Sequence, residues 1–129
     1  MRRRAVVVAV LAATPAAVHA SSAVGGADQA PRRQTVTMRE FRFVGVPSNL
    51  RSGRTTFTFR NTGQNPHNFT VVAALGGGRS FRSATVAPGS SQRKTVNLRA
   101  GTYLAICTVG NGFHLKRGML KVFTVGQSG

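Results

Sequence analysis

Residues 103–122 read YLAICTVGNGFHLKRGMLKV and hold one cysteine, one histidine and one methionine at spacings of seven and five. The apolar residues before Cys107 predict a strand that ends there. A glycine-rich stretch follows and predicts a loop that carries His114, and a second strand begins at Met119. Two strand ends therefore fix the outer residues, and the loop brings the histidine between them. Such a segment can wrap around one metal ion.

The rest of the chain also has strand patterns. Residues 55–60 alternate Phe57 and Phe59 with threonine and arginine, which is typical of a half-buried strand. Residues 34–43 change their apolar parity near Arg39, which predicts a bulge or bend. No ten-residue segment after residue 20 has helical periodicity. The sequence predicts an all-β sandwich or barrel of seven to eight short strands.

The first twenty residues have the pattern of an export signal. Arginines at positions 2–4 precede a small apolar stretch, and residues 18–20 resemble a signal-peptidase site. The apolar stretch is shorter than the about 20 residues that a membrane-spanning helix needs. Residues 21–33 are rich in Ala, Gly and Ser and predict a flexible lead-in. We expect one folded domain at 34–126 in an exported protein (periplasmic, secreted or at the cell surface), with no transmembrane segment after cleavage.

The charge is strongly unbalanced, with 18 basic and two acidic residues and a net charge of +16. Such a field favours acidic partners or peripheral contact with an anionic surface. Nucleic acid is not expected, because the protein is exported and its arginines are scattered singly along alternating strands. Asp28 and Glu40 give no carboxylate pair for acid–base catalysis, so the chain is not expected to be an enzyme.

The soft metal ligands are few. After residue 20 the chain has one cysteine, two histidines and two methionines. His67 is predicted at the start of a strand, and in a β-sandwich it can lie beside the end of an antiparallel neighbour that carries Cys107. Two imidazoles and a thiolate with a weak axial thioether form the ligand set of a blue-copper site, here His67, Cys107, His114 and Met119. Met38 lacks this context and is expected in the core.

Three alternatives remain open. Zinc also takes cysteine and histidine, although a methionine in the fourth position favours copper. A nucleophilic pair of Cys107 and His114 is conceivable, but it leaves His67 and Met119 unexplained. A basic binding module without metal is the third.

The segments Asn61-Thr-Gly, His67-Asn-Phe, Cys107-Thr and His114 with Gly118-Met resemble the plastocyanin and azurin group of cupredoxins. The likeness extends over residues 34–125. It implies a Greek-key β-sandwich with one type 1 copper ion near one end. The two histidines would bind through imidazole nitrogen, Cys107 through sulfur and Met119 axially. Asn68 and Thr108 match the residues that tie the two ligand loops together by hydrogen bonding.

The resemblance also implies a function. The protein would be a monomeric one-electron carrier between redox partners, one of which docks through an acidic surface. An exported module for copper delivery or storage is the alternative. The family often has a Pro-Gly pair before the second histidine, where this chain has Gly110-Asn111-Gly112. Phe113 and Leu115 are expected to supply an apolar patch around His114 through which electrons pass.

Overall fold

A computed structural model describes residues 30–127. The predicted export signal at 1–20 and residues 21–29 of the predicted lead-in lie outside this range. Within it the chain forms nine strands and one short helix. They are β1 (Arg32–Arg39), β2 (Arg42–Val44), β3 (Asn49–Arg51), β4 (Gly53–Asn61), β5 (Thr70–Gly76), β6 (Phe81–Arg82), β7 (Ser91–Leu98), β8 (Gly101–Ile106), α1 (Phe113–Lys116) and β9 (Leu120–Gly126).

The strands form two sheets, ordered β2-β1-β4-β7 and β3-β9-β8-β5-β6. They pack as the Greek-key β-sandwich that the resemblance to the cupredoxins implies. β1 runs parallel to β4 and β3 runs parallel to β9, while the other pairs are antiparallel. Three strands, β2, β3 and β6, have only two or three residues. They are too short to show an alternating pattern, which is why the strand count exceeds the prediction of seven to eight.

The core lies between the sheets and is built mainly from aromatic and β-branched residues. In β4 the residues that alternate inward are buried, and Phe57 and Phe59 stack on each other. Met38 is fully buried there, as predicted. Burying each such side chain stabilises the fold by about 1.5–3 kcal/mol. The fully buried aromatic side chains are Tyr103, Phe57, Phe59, Phe69 and Phe123.

The predicted bend near Arg39 is confirmed. β1 ends at Arg39, and the chain turns at Glu40 and Phe41 so that β2 folds back antiparallel to β1. Because of this turn Glu40 and Phe41 lie at the same end of the sandwich as His67 and His114.

Three local predictions are wrong. His67 does not start a strand, because β5 begins at Thr70 and His67 instead forms an isolated bridge with Val86. His114 lies in the helix α1 and not in an irregular loop. The sequence does not predict this helix because four residues are too few to show helical periodicity. β1 begins at Arg32, so the last two residues of the predicted lead-in belong to a strand. Among residues 30–127, no helix is long and apolar enough to cross a membrane.

Candidate metal centre

Cys107, His114 and Met119 are linked by their backbones at one end of the sandwich. Cys107 directly follows β8 and Met119 directly precedes β9. The backbone N–H of Cys107 donates to the carbonyl of Met119 at 3.2 Å, and the N–H of Met119 donates to the carbonyl of His114 at 3.1 Å. The antiparallel pairing of β8 and β9 is thus extended by one residue pair, which fixes the two strand ends that bound the loop.

The loop before His114 turns through three residues with positive φ. Gly110, Asn111 and Gly112 have φ values of 72°, 51° and 84°. Glycine and, to a lesser extent, asparagine adopt this left-handed conformation readily. A Cβ atom at position 110 would also meet the Cβ of Phe113 at 3.3 Å. Gly-Asn-Gly therefore makes the turn that returns His114 to Cys107, in place of the Pro-Gly pair that the resemblance suggests.

His67 reaches the same place from another part of the chain. Thr70 in β5 lies opposite Ile106 in β8, so the residues before β5 run beside those after β8. The backbone N–H of Asn68 donates to the sulfur of Cys107 at 3.5 Å. This is the meeting of antiparallel strand ends that the sequence predicts, although His67 itself stands three residues before the strand.

Three side-chain donors converge. The Nδ1 atoms of His67 and His114 are 3.1 Å apart. The sulfur of Cys107 lies 3.5 Å from Nδ1 of His114 and 3.9 Å from Nδ1 of His67. All three residues are buried, and the group can hold one metal ion.

The spacing and chemistry of these donors fit one ion. A metal about 2.0–2.3 Å from nitrogen and sulfur ligands separates neighbouring donors by about 3.3–3.9 Å. The observed separations of 3.1–3.9 Å are close to that range. Two imidazoles with one thiolate are the equatorial donors of a blue-copper site. Met119 is fully buried, and its backbone is hydrogen-bonded to the backbones of Cys107 and His114.

Burial also sets the protonation of His67. Desolvation lowers the pKa of its imidazole, and the nearby His114 lowers it further, whereas the Glu40 carboxylate acts in the opposite direction. The net effect favours the neutral ring, which is the form that binds metal ions.

Asn68 and Thr108 join the two halves of the centre. The side-chain amide of Asn68 donates to Oγ1 of Thr108 at 2.8 Å, and the N–H of Thr108 donates to Oδ1 of Asn68 at 3.0 Å. Thr70 donates to the same Oδ1 at 3.2 Å. The residues that follow His67 and Cys107 are therefore bonded directly to each other, in addition to the bond from the Asn68 N–H to the sulfur of Cys107.

Glu40 is a site residue that the sequence analysis did not identify. Its Oε1 atom lies 3.2 Å from Nε2 of His67, the ring nitrogen that faces away from Cys107. The same oxygen accepts hydrogen bonds from the N–H groups of Gln64 and Asn65, at 2.9 and 2.7 Å. The only available signal was its rarity, because Glu40 is the one acidic residue among residues 30–127.

These contacts keep Glu40 ionised. Desolvation raises the pKa of its carboxyl, but backbone hydrogen bonds at Glu40, Asn65 and Gln64 together lower it to about 2. A carboxylate on the outer nitrogen of a metal-binding histidine fixes the ring orientation and increases its basicity. Glu40 therefore holds His67 with its Nδ1 atom directed at Cys107 and His114.

Aromatic side chains cover the outer side of His114. The ring of Phe41 lies 5.1 Å from the His114 ring, and that of Phe113 lies 6.1 Å away, measured between centroids. Phe113 is 53% exposed, whereas His114 is only 6% exposed. Leu115 is half-buried, and the guanidinium of Arg117 stands 5.3 Å over the Phe41 ring. The expected apolar patch thus contains Phe41 as well, which the sequence analysis did not include.

The two-sheet architecture is that of the cupredoxins, and solved structures share this fold. Auracyanin from the photosynthetic bacterium Roseiflexus castenholzii matches with a TM-score of 0.60 and 20% identity, over 76% of this chain and 99% of that chain. Auracyanin A, a "blue" copper protein from Chloroflexus aurantiacus, matches with a TM-score of 0.61 and 19% identity, over 74% and 99%. A copper-containing nitrite reductase from Thermus scotoductus gives 0.58 and 22%, over 82% and 25%. This chain has the cupredoxin fold.

The sequence comparison adds a family. No curated protein sequence matches this chain significantly. The family described as bacterial phospholipase C, C-terminal domain, matches residues 43–116, which is more than half of the chain. The chain belongs to that family. The description names one domain of those enzymes, so membership by itself assigns no catalytic activity here.

Proposed function

We propose that this protein binds one copper ion through His67, Cys107 and His114, with Met119 as a weak fourth ligand, and carries single electrons. The main observation behind the proposal is that the donor atoms of these three buried side chains lie 3.1–3.9 Å from one another. Copper supplies a one-electron couple, since thiolate and thioether suit Cu(I) while imidazole suits both oxidation states. A structural neighbour, auracyanin A, is described as a "blue" copper protein, which supports the choice of metal.

The protein contributes a rigid, dry cage. His67 and Cys107 are fully buried and His114 nearly so, so water has little access to the donor atoms. Hydrogen bonds hold each segment: Glu40 bonds His67, and Asn68 bonds the sulfur of Cys107 through its backbone N–H. A cage held on several sides needs little rearrangement when the charge of its ion changes, which suits fast electron transfer.

His114 is the proposed route for electrons. Its ring lies 6.1 Å, between centroids, from that of Phe113, an apolar side chain that is 53% exposed. Without residues 1–20, which hold three of the 18 basic residues and neither acidic one, the net charge would be +13. It would steer a partner with an acidic docking surface, and this attraction weakens as salt screens it. We place the carrier outside the cytoplasm, in line with the predicted export signal.

The first experiment tests the metal. Purified metal-free protein is titrated with Cu(II), and an intense visible thiolate-to-copper band should grow to one copper per chain. Cys107→Ser should abolish the band. The matched variants Met119→Leu and Met38→Leu exchange two fully buried methionines. Both should keep the colour, and only Met119→Leu should shift the reduction potential. A wild-type protein without the band, or a band that survives Cys107→Ser, contradicts the copper site.

A second experiment separates electron transfer from copper delivery or storage. Voltammetry of the copper form should give a reversible one-electron couple, and mixed oxidised and reduced samples should exchange electrons rapidly. Loss of copper to a chelator on every reduction would instead assign the protein to delivery. A competing titration with Zn(II) measures whether the site prefers copper.

A further inference from the structure

A groove runs across the outer face of the four-stranded sheet. Its volume is about 730 Å³, within the range of ligand-binding clefts. Three strands contribute to it, and each brings one arginine and at least one hydroxyl. The lining residues are Arg33, Thr35, Thr58, Arg60, Ser91, Gln92 and Arg93.

The strand register places these side chains around one point. Thr58, in the central strand β4, lies opposite Thr35 of β1 and opposite Arg93 of β7. Arg60 is two residues further along the same face and lies opposite Ser91. Neighbouring strands are about 4.8 Å apart. Arg33 is two residues before Thr35, so all three guanidinium groups can reach the space above Thr58.

This positive charge is not neutralised within the described part of the chain. Glu40 is the one acidic residue among residues 30–127, and its carboxylate is occupied at the metal centre with His67 and the N–H groups at 64 and 65. No ion pair within that range involves Arg33, Arg60 or Arg93. Three like charges on one face repel each other, so an anion bound among them would relieve that repulsion.

We propose that this groove is a binding site for phosphate groups. The planar guanidinium matches the oxygens of phosphate and can donate two parallel hydrogen bonds to them. The hydroxyls of Thr35, Thr58 and Ser91 add neutral donors between the arginines. A second depression of about 190 Å³ adjoins the first and shares Arg33, Thr58 and Arg93 with it. A ligand with more than one phosphate fits this extended shape best.

The test uses the full chain and inorganic tripolyphosphate as the probe, with affinity measured by calorimetry at low salt. The site variant combines Arg33→Gln, Arg60→Gln and Arg93→Gln. The matched control combines Arg51→Gln, Arg79→Gln and Arg82→Gln, three exposed arginines outside the groove, and removes the same charge. The site variant should bind about tenfold more weakly or worse, and the control should change less than about threefold. Equal losses in both variants, or none in either, overturn the proposal.

A second variant tests the hydroxyl, and a second probe tests the source of the phosphate. Thr58→Val keeps the charge and the strand, and it should still weaken tripolyphosphate binding about threefold or more. An unchanged affinity would mean that the probe is attracted only by diffuse positive charge, and it would contradict a specific binding site in the groove. Vesicles of phosphatidylglycerol in phosphatidylcholine then distinguish a lipid headgroup from a free phosphate. Binding of vesicles that is lost in the site variant but not in the control assigns the headgroup, whereas binding of tripolyphosphate alone assigns a soluble ligand.

Discussion

Replacing Asn68 by alanine would cut the connection between the two segments that carry the proposed copper ligands. The side chain makes two hydrogen bonds with Thr108, at 2.8 and 3.0 Å, and is only 6% exposed. It also accepts a third hydrogen bond, from Thr70 at 3.2 Å. Each such bond contributes about 0.5–1.5 kcal/mol, so Asn68→Ala should lower the free energy of unfolding by about 1.5–4.5 kcal/mol. In a domain of this size each kcal/mol shifts the melting temperature by about 4–8 °C.

The copper affinity should fall as well. Outer-sphere partners of metal ligands typically contribute about 10–100-fold in affinity. Competition with a chelator measures this loss, and thermal melting of the metal-free protein measures the stability. Thr108→Val removes the hydroxyl but keeps the backbone N–H that donates to Asn68, so it should show about a third of the stability effect.

The matched control is Asn97→Ala, which makes the same exchange at an exposed position of β7. It should change stability by less than about 0.5 kcal/mol. If Asn68→Ala has the same melting temperature as Asn97→Ala and keeps wild-type copper affinity, the hydrogen bonds between Asn68 and Thr108 do not hold the site together. That result would refute the prediction.

Three further predictions concern single side chains. Met119→Leu should change the reduction potential and keep copper bound, because a weakly held thioether would contribute little to affinity; titration and voltammetry together check this, and loss of copper would mean that the proposed role of Met119 is mistaken. For Glu40, the folded-state pKa of about 2 lies below the ordinary 4.5, so its stabilisation is present above pH 4.5 and is lost as the pH falls towards 2. The stability gap between wild type and Glu40→Gln, measured by denaturant melts of metal-free protein, should close over that window, and a gap independent of pH would contradict it. Phe113→Ser should slow electron self-exchange without changing the visible spectrum, and an equal rate would move the electron route away from His114.

Several residues of the candidate centre are close together in the sequence, and for these the sequence predicts that their backbones lie near one another. Cys107, His114 and Met119 lie within 13 residues, and the strand–loop–strand pattern is enough to bring their backbones together. His67 is 40 residues from Cys107, yet antiparallel pairing of β5 and β8 follows from the expected sandwich. The sequence therefore predicts that residues at the end of β8 lie near those just before β5, although it places the start of β5 three residues too early.

What the sequence could not reveal depends on long-range contacts without a periodic signal. Glu40 reaches His67 only because β1 is followed by a sharp turn at one end of the sandwich. β1 pairs with β4 in parallel, and the sequence pattern of neither strand predicts this. Alternation of apolar and polar residues indicates which face is buried, but not the direction of the neighbouring strand. The groove over Thr58 also appears only after this pairing, since its three arginines come from three separate strands.

Two opposing electrostatic effects act on the proposed copper site, and they differ in range. The many basic side chains favour the reduced ion, but most are exposed and are screened beyond about 8–10 Å at ordinary ionic strength. Glu40 favours the oxidised ion, and it acts at 3.2 Å on a ring that is fully buried, where screening is weak. Glu40→Gln should therefore raise the reduction potential while leaving the salt dependence of partner docking unchanged. The site variant with Arg33, Arg60 and Arg93 replaced should weaken the salt dependence of partner docking and leave the reduction potential nearly unchanged. Voltammetry and docking rates over a salt series measure the two effects separately, and a potential that follows the arginines more than Glu40 would refute this division.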